Sequence, residues 1–185
     1  MILLGQYALI AALGVAVYGI GAAILGACRS QPGVVASARN AVYVTGGLVA
    51  TATASLLWLL VNDRFEVLYV AQNSRIDQPL PYKISALWGG MAGSLLLWAV
   101  VLAGYMVVAA WINRDRHPEL MPWVHAVCLG TIAFFVGLQL LAANPFETLP
   151  FAPVDGQGMN PLLQNPAMAI HPPNLYLGYV GFTIP

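Results

Sequence analysis

Four apolar stretches, at about 1–27, 41–61, 88–112 and 123–143, contain none of the chain's seven basic and seven acidic residues. Each reaches the roughly 20 residues a helix needs to cross a bilayer. Hydrocarbon offers no water to backbone N–H and C=O groups, so such a stretch must satisfy them internally as a helix. The predicted fold class is therefore an all-α integral membrane protein whose first partner is the lipid bilayer. Composition agrees, with 59% hydrophobic and 8% charged residues, against roughly 25% charged in soluble domains. A fifth apolar segment, 175–185, spans about three helical turns, too few to cross. The expectation is four complete transmembrane helices plus the start of a fifth, in a chain that is truncated or split.

The first stretch starts at residue 2 without a basic leader and outruns the short apolar region of a cleavable signal, so it reads as a permanent helix. Orientation follows from basic residues. Arg29, Arg39, Arg114 and Arg116 fall in the short connections 28–40 and 113–122, while the longer segments 62–87 and 144–174 hold only Arg64, Arg75 and Lys83. Basic residues concentrate on the cytoplasmic side. The short connections are thus predicted to be cytoplasmic, and the two longer segments to form ordered loops in a periplasm or equivalent compartment.

Several function classes lose weight. A net charge of zero gives no basic patch for nucleic acid. All fourteen charges lie outside the four stretches, whereas ion-coupled carriers keep ionisable groups in mid-membrane. Cys28 and Cys128 are both near predicted cytoplasmic helix ends, where no disulfide is expected. There is no C-x-x-C or C-x-x-C-H, which argues against a thioredoxin-like oxidoreductase or a covalent c-type cytochrome.

Within the spans, Gly46, Ala50 and Ala54 form a small-residue stripe suited to close helix packing, as do Gly89 and Gly93. Trp88, Trp111 and Trp123 stand at span ends, where indoles anchor to the interface. Segment 62–87 contains a possible amphipathic helix, 64–71, with Phe65, Leu68 and Tyr69 on one face, predicted to lie on the membrane surface. Segment 144–174 has seven prolines, which predict a stiff irregular loop. Its Phe146, Leu149, Phe151, Leu162, Leu163 and Met168 predict order against the membrane or a partner. Asp155 and Glu147 read as solvated carboxylates, and no catalytic acid or base is identified.

Of three histidines, His117 reads as a solvated turn residue and His125 as an interfacial side chain. His171 precedes Pro172 and Pro173, at the outer rim of a segment bearing Tyr176, Tyr179 and Phe182. From the residues alone it is either an exposed loop histidine or an axial ligand to haem iron.

The run NPLLQNPAMAIHPPNLYLGYVGF, 160–182, closely resembles the signature of the cytochrome c maturation protein F family, the haem lyases of c-type cytochrome biogenesis. VNDRFEVLYVAQNS at 61–74 and ALWGGMAGSLLLW at 86–98 resemble it too, so the similarity runs from about residue 61 onward, with the first two spans matching only in hydrophobic pattern. The resemblance implies the N-terminal portion of an enzyme that takes haem b as substrate from a haem chaperone and joins it to the C-x-x-C-H thiols of apocytochrome c. Its setting would be the bacterial inner membrane or an equivalent organelle membrane. Apocytochrome delivery subunits would be partners, as would the remainder of the same protein or a split partner subunit. It implies that His171 is one of two outer axial ligands to the haem iron. The second ligand, and the histidines of a further b-type haem, would lie beyond Pro185, leaving this chain inactive alone.

Two departures stand out. Met91 and Ala92 occupy positions where the family commonly has His-Glu, and Arg75 replaces a common Asn. A second reading is a non-catalytic scaffold whose outer loops dock partners of the maturation complex. A carrier component is a weaker third.

Overall fold

The computed structural model describes residues 1–182. The charge-free stretches are all helical: α1 is Ile2–Cys28, α2 Pro32–Val61, α5 Met91–Ile112 and α6 Met121–Ala142. Two short helices, α3 (Leu68–Asn73) and α4 (Leu80–Ser85), and a single 3-10 turn at Ala86–Trp88 lie between α2 and α5. A second 3-10 turn, Pro161–Leu163, precedes the final helix, α7 (Pro166–Gly181). Among the described residues no strand forms, and Val67 and Thr148 make one isolated antiparallel bridge.

The four long helices form a ring in which α1 packs on α2 and α6, and α5 closes it between α2 and α6. Its axis is filled by Leu9, Val49, Leu56, Leu96, Met106, Leu129 and Ile132, all essentially inaccessible. The outside of the ring is equally apolar, with Tyr7, Val17, Val44, Val108, Val127 and Phe134 exposed. In the most apolar window of each helix only 33–44% of residues are buried. A belt of that extent needs lipid rather than water around it. Two buried hydroxyls of α2 are satisfied within their own helix: Thr53 donates to the Val49 carbonyl at 2.9 Å and Ser55 to that of Thr51 at 2.8 Å.

Four expectations need correction. Helix α2 begins at Pro32, so the 28–40 connection shrinks to a turn at 29–31 and Arg39 is helical. Hydropathy marks hydrocarbon thickness, and a helix continues past it wherever Pro at its first position and good formers allow. In the small-residue stripe only Gly46 packs, against Val107 and Ala103, while Ala50 and Ala54 face outward. Spacing of four drifts round a 3.6-residue helix. Helix α3 turns Tyr69, Val70 and Ala71 into the protein interior, with Phe65 and Val67 buried beside it, instead of lying apolar face down on a membrane.

The fourth correction concerns 144–174, which is not irregular throughout, since α7 starts at Pro166 and carries Pro172 and Pro173 inside it. Asn165 caps it, its side chain accepting from the Ala167 N–H at 3.0 Å, and Pro166 takes the first helical position, where no N–H is needed. Each internal proline removes one i−4 bond. Surrounding protein, water or neighbouring helices can re-satisfy the freed carbonyls at membrane depth.

Candidate functional site

The end of the bundle opposite the 29–31 turn is covered by 62–87 and 144–165, which knit into one layer. Leu68 N–H donates to the Glu147 carbonyl and Leu149 N–H to that of Glu66, both at 2.8 Å. Further along, Gln157 N–H reaches the Ala71 carbonyl at 2.7 Å, and Ile76 N–H reaches Asp155 Oδ1 at 2.9 Å. Asp155 is therefore a tie between the two segments, not a merely solvated carboxylate. Lys83, almost buried, holds Asp63 at 2.6 Å and fixes α4 to the end of α2. Phe146 is buried over Gly5, where any side chain would collide with its ring.

Tyr69 organises this layer. Its hydroxyl donates toward the Ala86 and Leu87 carbonyls at 2.8 and 3.0 Å and accepts from Gly90 N–H at 3.2 Å. Burial pushes that hydroxyl well above its ordinary pKa, which keeps it a donor. Gly93 leaves the room: a Cβ there would overlap both the Leu87 carbonyl and the Tyr69 ring. The sequence runs 61–74 and 86–98 thus meet around Tyr69.

Helix α7 packs on α5. Trp98 meets Tyr176 edge-on at 5.7 Å and Phe135 at 5.2 Å, and Tyr105 donates to the Leu177 carbonyl at 3.0 Å. Trp98 and Tyr176 share a level, and His171, five residues earlier, stands about 7 Å nearer the layered end. Tyr176 and Val180 face α5. At about 100° per residue His171 lies on another side, sharing the open face with Leu175 and Phe182. His171, Leu175 and Phe182 are all exposed. Among the described residues nothing covers that face. Beside it, Pro172 and Pro173 leave the Met168 and Ala169 carbonyls without their intrahelical donors.

A cleft of about 190 Å³ lined by Met91, Ser94, Leu95, Trp98, Phe135 and Tyr176 opens at the α5–α7 seam. A second, of about 300 Å³, runs from Met91 and Ala92 to Tyr69, Asn73 and Glu147. Met91 is exposed and borders both, while Ala92 lines the second and packs against the edge of the core. Apolar side chains stand out from the layer, with Phe151 at 87% and Leu162 at 79% exposure.

The three histidines are not brought together, and no group of three or more His, Cys, Asp or Glu gathers among the described residues. His117 sits exposed in the 113–120 turn. His125, expected as an interfacial side chain, is 3% exposed, with neither ring nitrogen bonded. A histidine one turn inside a span gave no signal of that burial. His171 can supply one ligand to a metal, and a six-coordinate iron would need another from outside these residues.

Residues 88–185 match the family model described as cytochrome c assembly protein. The chain is 40% identical over 181 residues to the cytochrome c-type biogenesis protein CycK of Rhizobium meliloti, covering 98% of this chain and 27% of that protein. It is 39% identical over 183 residues to the cytochrome c-type biogenesis protein CcmF of Pseudomonas aeruginosa, covering 98% and 28%. A solved structure titled cytochrome c heme lyase CcmF superposes with a TM-score of 0.85 at 29% identity, over 99% of this chain and 28% of that one. The chain thus spans a little over a quarter of these relatives. With the charge-free helices, the H-P-P helix and the Tyr69–Gly93 junction in place, it is a multi-pass membrane chain that belongs to the cytochrome c assembly protein family, of the CcmF type.

Proposed function

We propose that this chain is part of a cytochrome c haem lyase, in which His171 is one axial ligand to the haem being attached and the layered end is a periplasmic docking surface. The observation that carries it is the exposed imidazole on an open apolar face of α7, held in a helix whose flanking prolines restrict its backbone. Haem is the substrate here. Attachment adds a cysteine S–H across a haem vinyl group: the C–S bond forms at the inner vinyl carbon and the proton ends on the terminal carbon. No net oxidation occurs. An axial imidazole sets which haem face is presented and tunes the iron, so the contribution of His171 is positioning and not proton transfer.

The fit to haem is partial in a specific way. Leu175 and Phe182 give apolar cover on the same face as His171, while the opposite ligand has no candidate near it. A resident b-type haem needs a buried pair of ligands, and His125 is the one histidine within the four long helices. Its ligands, like the handover from a haem chaperone and the docking of apocytochrome c, belong to the longer protein.

Sidedness is checked first. A reporter fused after Asn113 is expected to be cytoplasmic and one after Gly156 periplasmic, in the bacterial inner membrane. The reverse pattern puts His171 on the side where c-type haem is not attached. The docking surface is checked by function. In a strain lacking its own haem lyase, the full-length protein should restore covalent cytochromes c, seen as haem stain that survives denaturing electrophoresis. Leu162→Ser with Leu163→Ser should lower that stain about tenfold at normal insertion, the scale of losing roughly 1.4 kcal/mol of apolar contact. Wild-type stain in the double variant would make the layer a linker. A scaffold without haem contact is the second reading, favoured by the exposed apolar side chains of the layer, and it predicts no dependence on His171.

A further inference from the structure

The end of the bundle remote from His171 holds a cavity of about 600 Å³ between the α1–α2 turn and the α5–α6 turn. Arg39, Arg114, Arg116 and His125 line it, with Glu119 the one carboxylate and Trp123 among the apolar walls. Arg39 donates to the Arg114 carbonyl at 3.1 Å, which joins the two turns and uses one of its five N–H groups. Asp115 draws on Arg114 at 3.0 Å but is itself 81% exposed. Below the arginines, His125 is 3% exposed and neither of its ring nitrogens has a partner. Imidazole carries at least one N–H in either protonation state, and a buried donor without an acceptor is rare in folded proteins.

Depth narrows what such a cavity meets. Helix α2 has 30 residues, about 45 Å against a hydrocarbon thickness of about 30 Å. Counted back from Val61, Arg39 falls about 33 Å away, at headgroup level. Trp123, 47% exposed, stands at the same rim. Arginine forks suit phosphate oxygens, and the apolar walls suit the glycerol and upper acyl carbons of a lipid.

We infer that this cavity binds an anionic phosphate group, with Arg39, Arg114 and Arg116 taking its charge and His125 donating to it from the buried side. The group comes either from the headgroup of an anionic phospholipid or from soluble phosphate, and depth and wall chemistry favour the lipid. Neither source involves His171 or haem, so this site stands or falls apart from the lyase reading.

The full-length protein in detergent, offered phosphatidylglycerol or phosphatidylcholine, is read by native mass spectrometry for retained lipid. Wild type should retain phosphatidylglycerol preferentially. R39Q/R116Q should weaken retention about 30-fold, the factor for two arginines near an anionic surface. His125→Leu should weaken it too, while His125→Gln, which keeps an N–H donor, should hold it. Should the arginine pair prevent insertion, the His125 pair decides. Phosphatidylglycerol that millimolar inorganic phosphate cannot displace identifies the headgroup as the source. Displacement, with a phosphate-dependent rise in unfolding temperature absent from the variants, identifies soluble phosphate and keeps the site. Equal retention of both lipids without a phosphate effect overturns the inference, as does a preference unchanged by R39Q/R116Q and by His125→Leu.

Discussion

Replacing His171 with alanine in the full-length protein is expected to cut thioether attachment about a hundredfold, the scale of a reacting group displaced by an ångström. The reason is geometric. His171 stands on the open face of α7, and its substitution leaves the buried contacts of that helix, Trp98 with Tyr176 and Tyr105 with Leu177, untouched. Haem would still find apolar cover but would lose the bond that fixes its tilt and its presented face. Added imidazole should restore part of the activity by filling the vacant coordination position. Haem stain of cytochromes c at equal levels of inserted protein gives the measurement, and wild-type stain would reduce His171 to a surface residue. His117→Ala serves as the control, since that side chain is exposed in a distant turn.

The second large effect is structural and concerns Gly93→Val. The new side chain would enter the space held by the Leu87 carbonyl and the Tyr69 ring, breaking the junction between the α3 layer and the start of α5. Overpacking of that kind together with the loss of a buried hydroxyl's partners costs about 3 kcal/mol or more. That is a large share of a marginal stability, so the yield of folded, monodisperse protein should fall several-fold by fluorescence-detected size exclusion. Gly104→Ala provides the contrast. Nothing lies within 4 Å of its added Cβ, and alanine favours a helix interior over glycine by up to about 1 kcal/mol. Equal yields for both variants would show that the Tyr69–Gly93 packing is dispensable.

The four long helices were legible because charge-free runs of bilayer length admit one backbone solution. Their ends were less so: Arg39 and Asn40 interrupt hydropathy without interrupting the helix. Prolines 172 and 173 misled for a related reason. Their breaking tendency is strong in water, yet an Asn165 cap and a pre-set Pro166 start the turn, and packing on α5 sustains it. The Tyr69–Gly93 contact joins residues 24 apart, and no local periodicity marks such a pair. Both residues were visible, one as part of an amphipathic face and one in a glycine stripe, but not their meeting. His171 was legible as a residue and as a motif, while the side of the helix it occupies required the aromatic contacts that orient α7.

Ligation itself is tested most directly by the haem spectrum. The full-length protein is loaded through its haem chaperone, and the ferric resonance spectrum of the unloaded protein is subtracted, which removes any resident haem. Wild type should give a low-spin signal with nitrogen axial ligation. His171→Ala should convert it to a high-spin signal at equal haem content, and added imidazole should return it. A low-spin signal unchanged by His171→Ala contradicts ligation by this histidine.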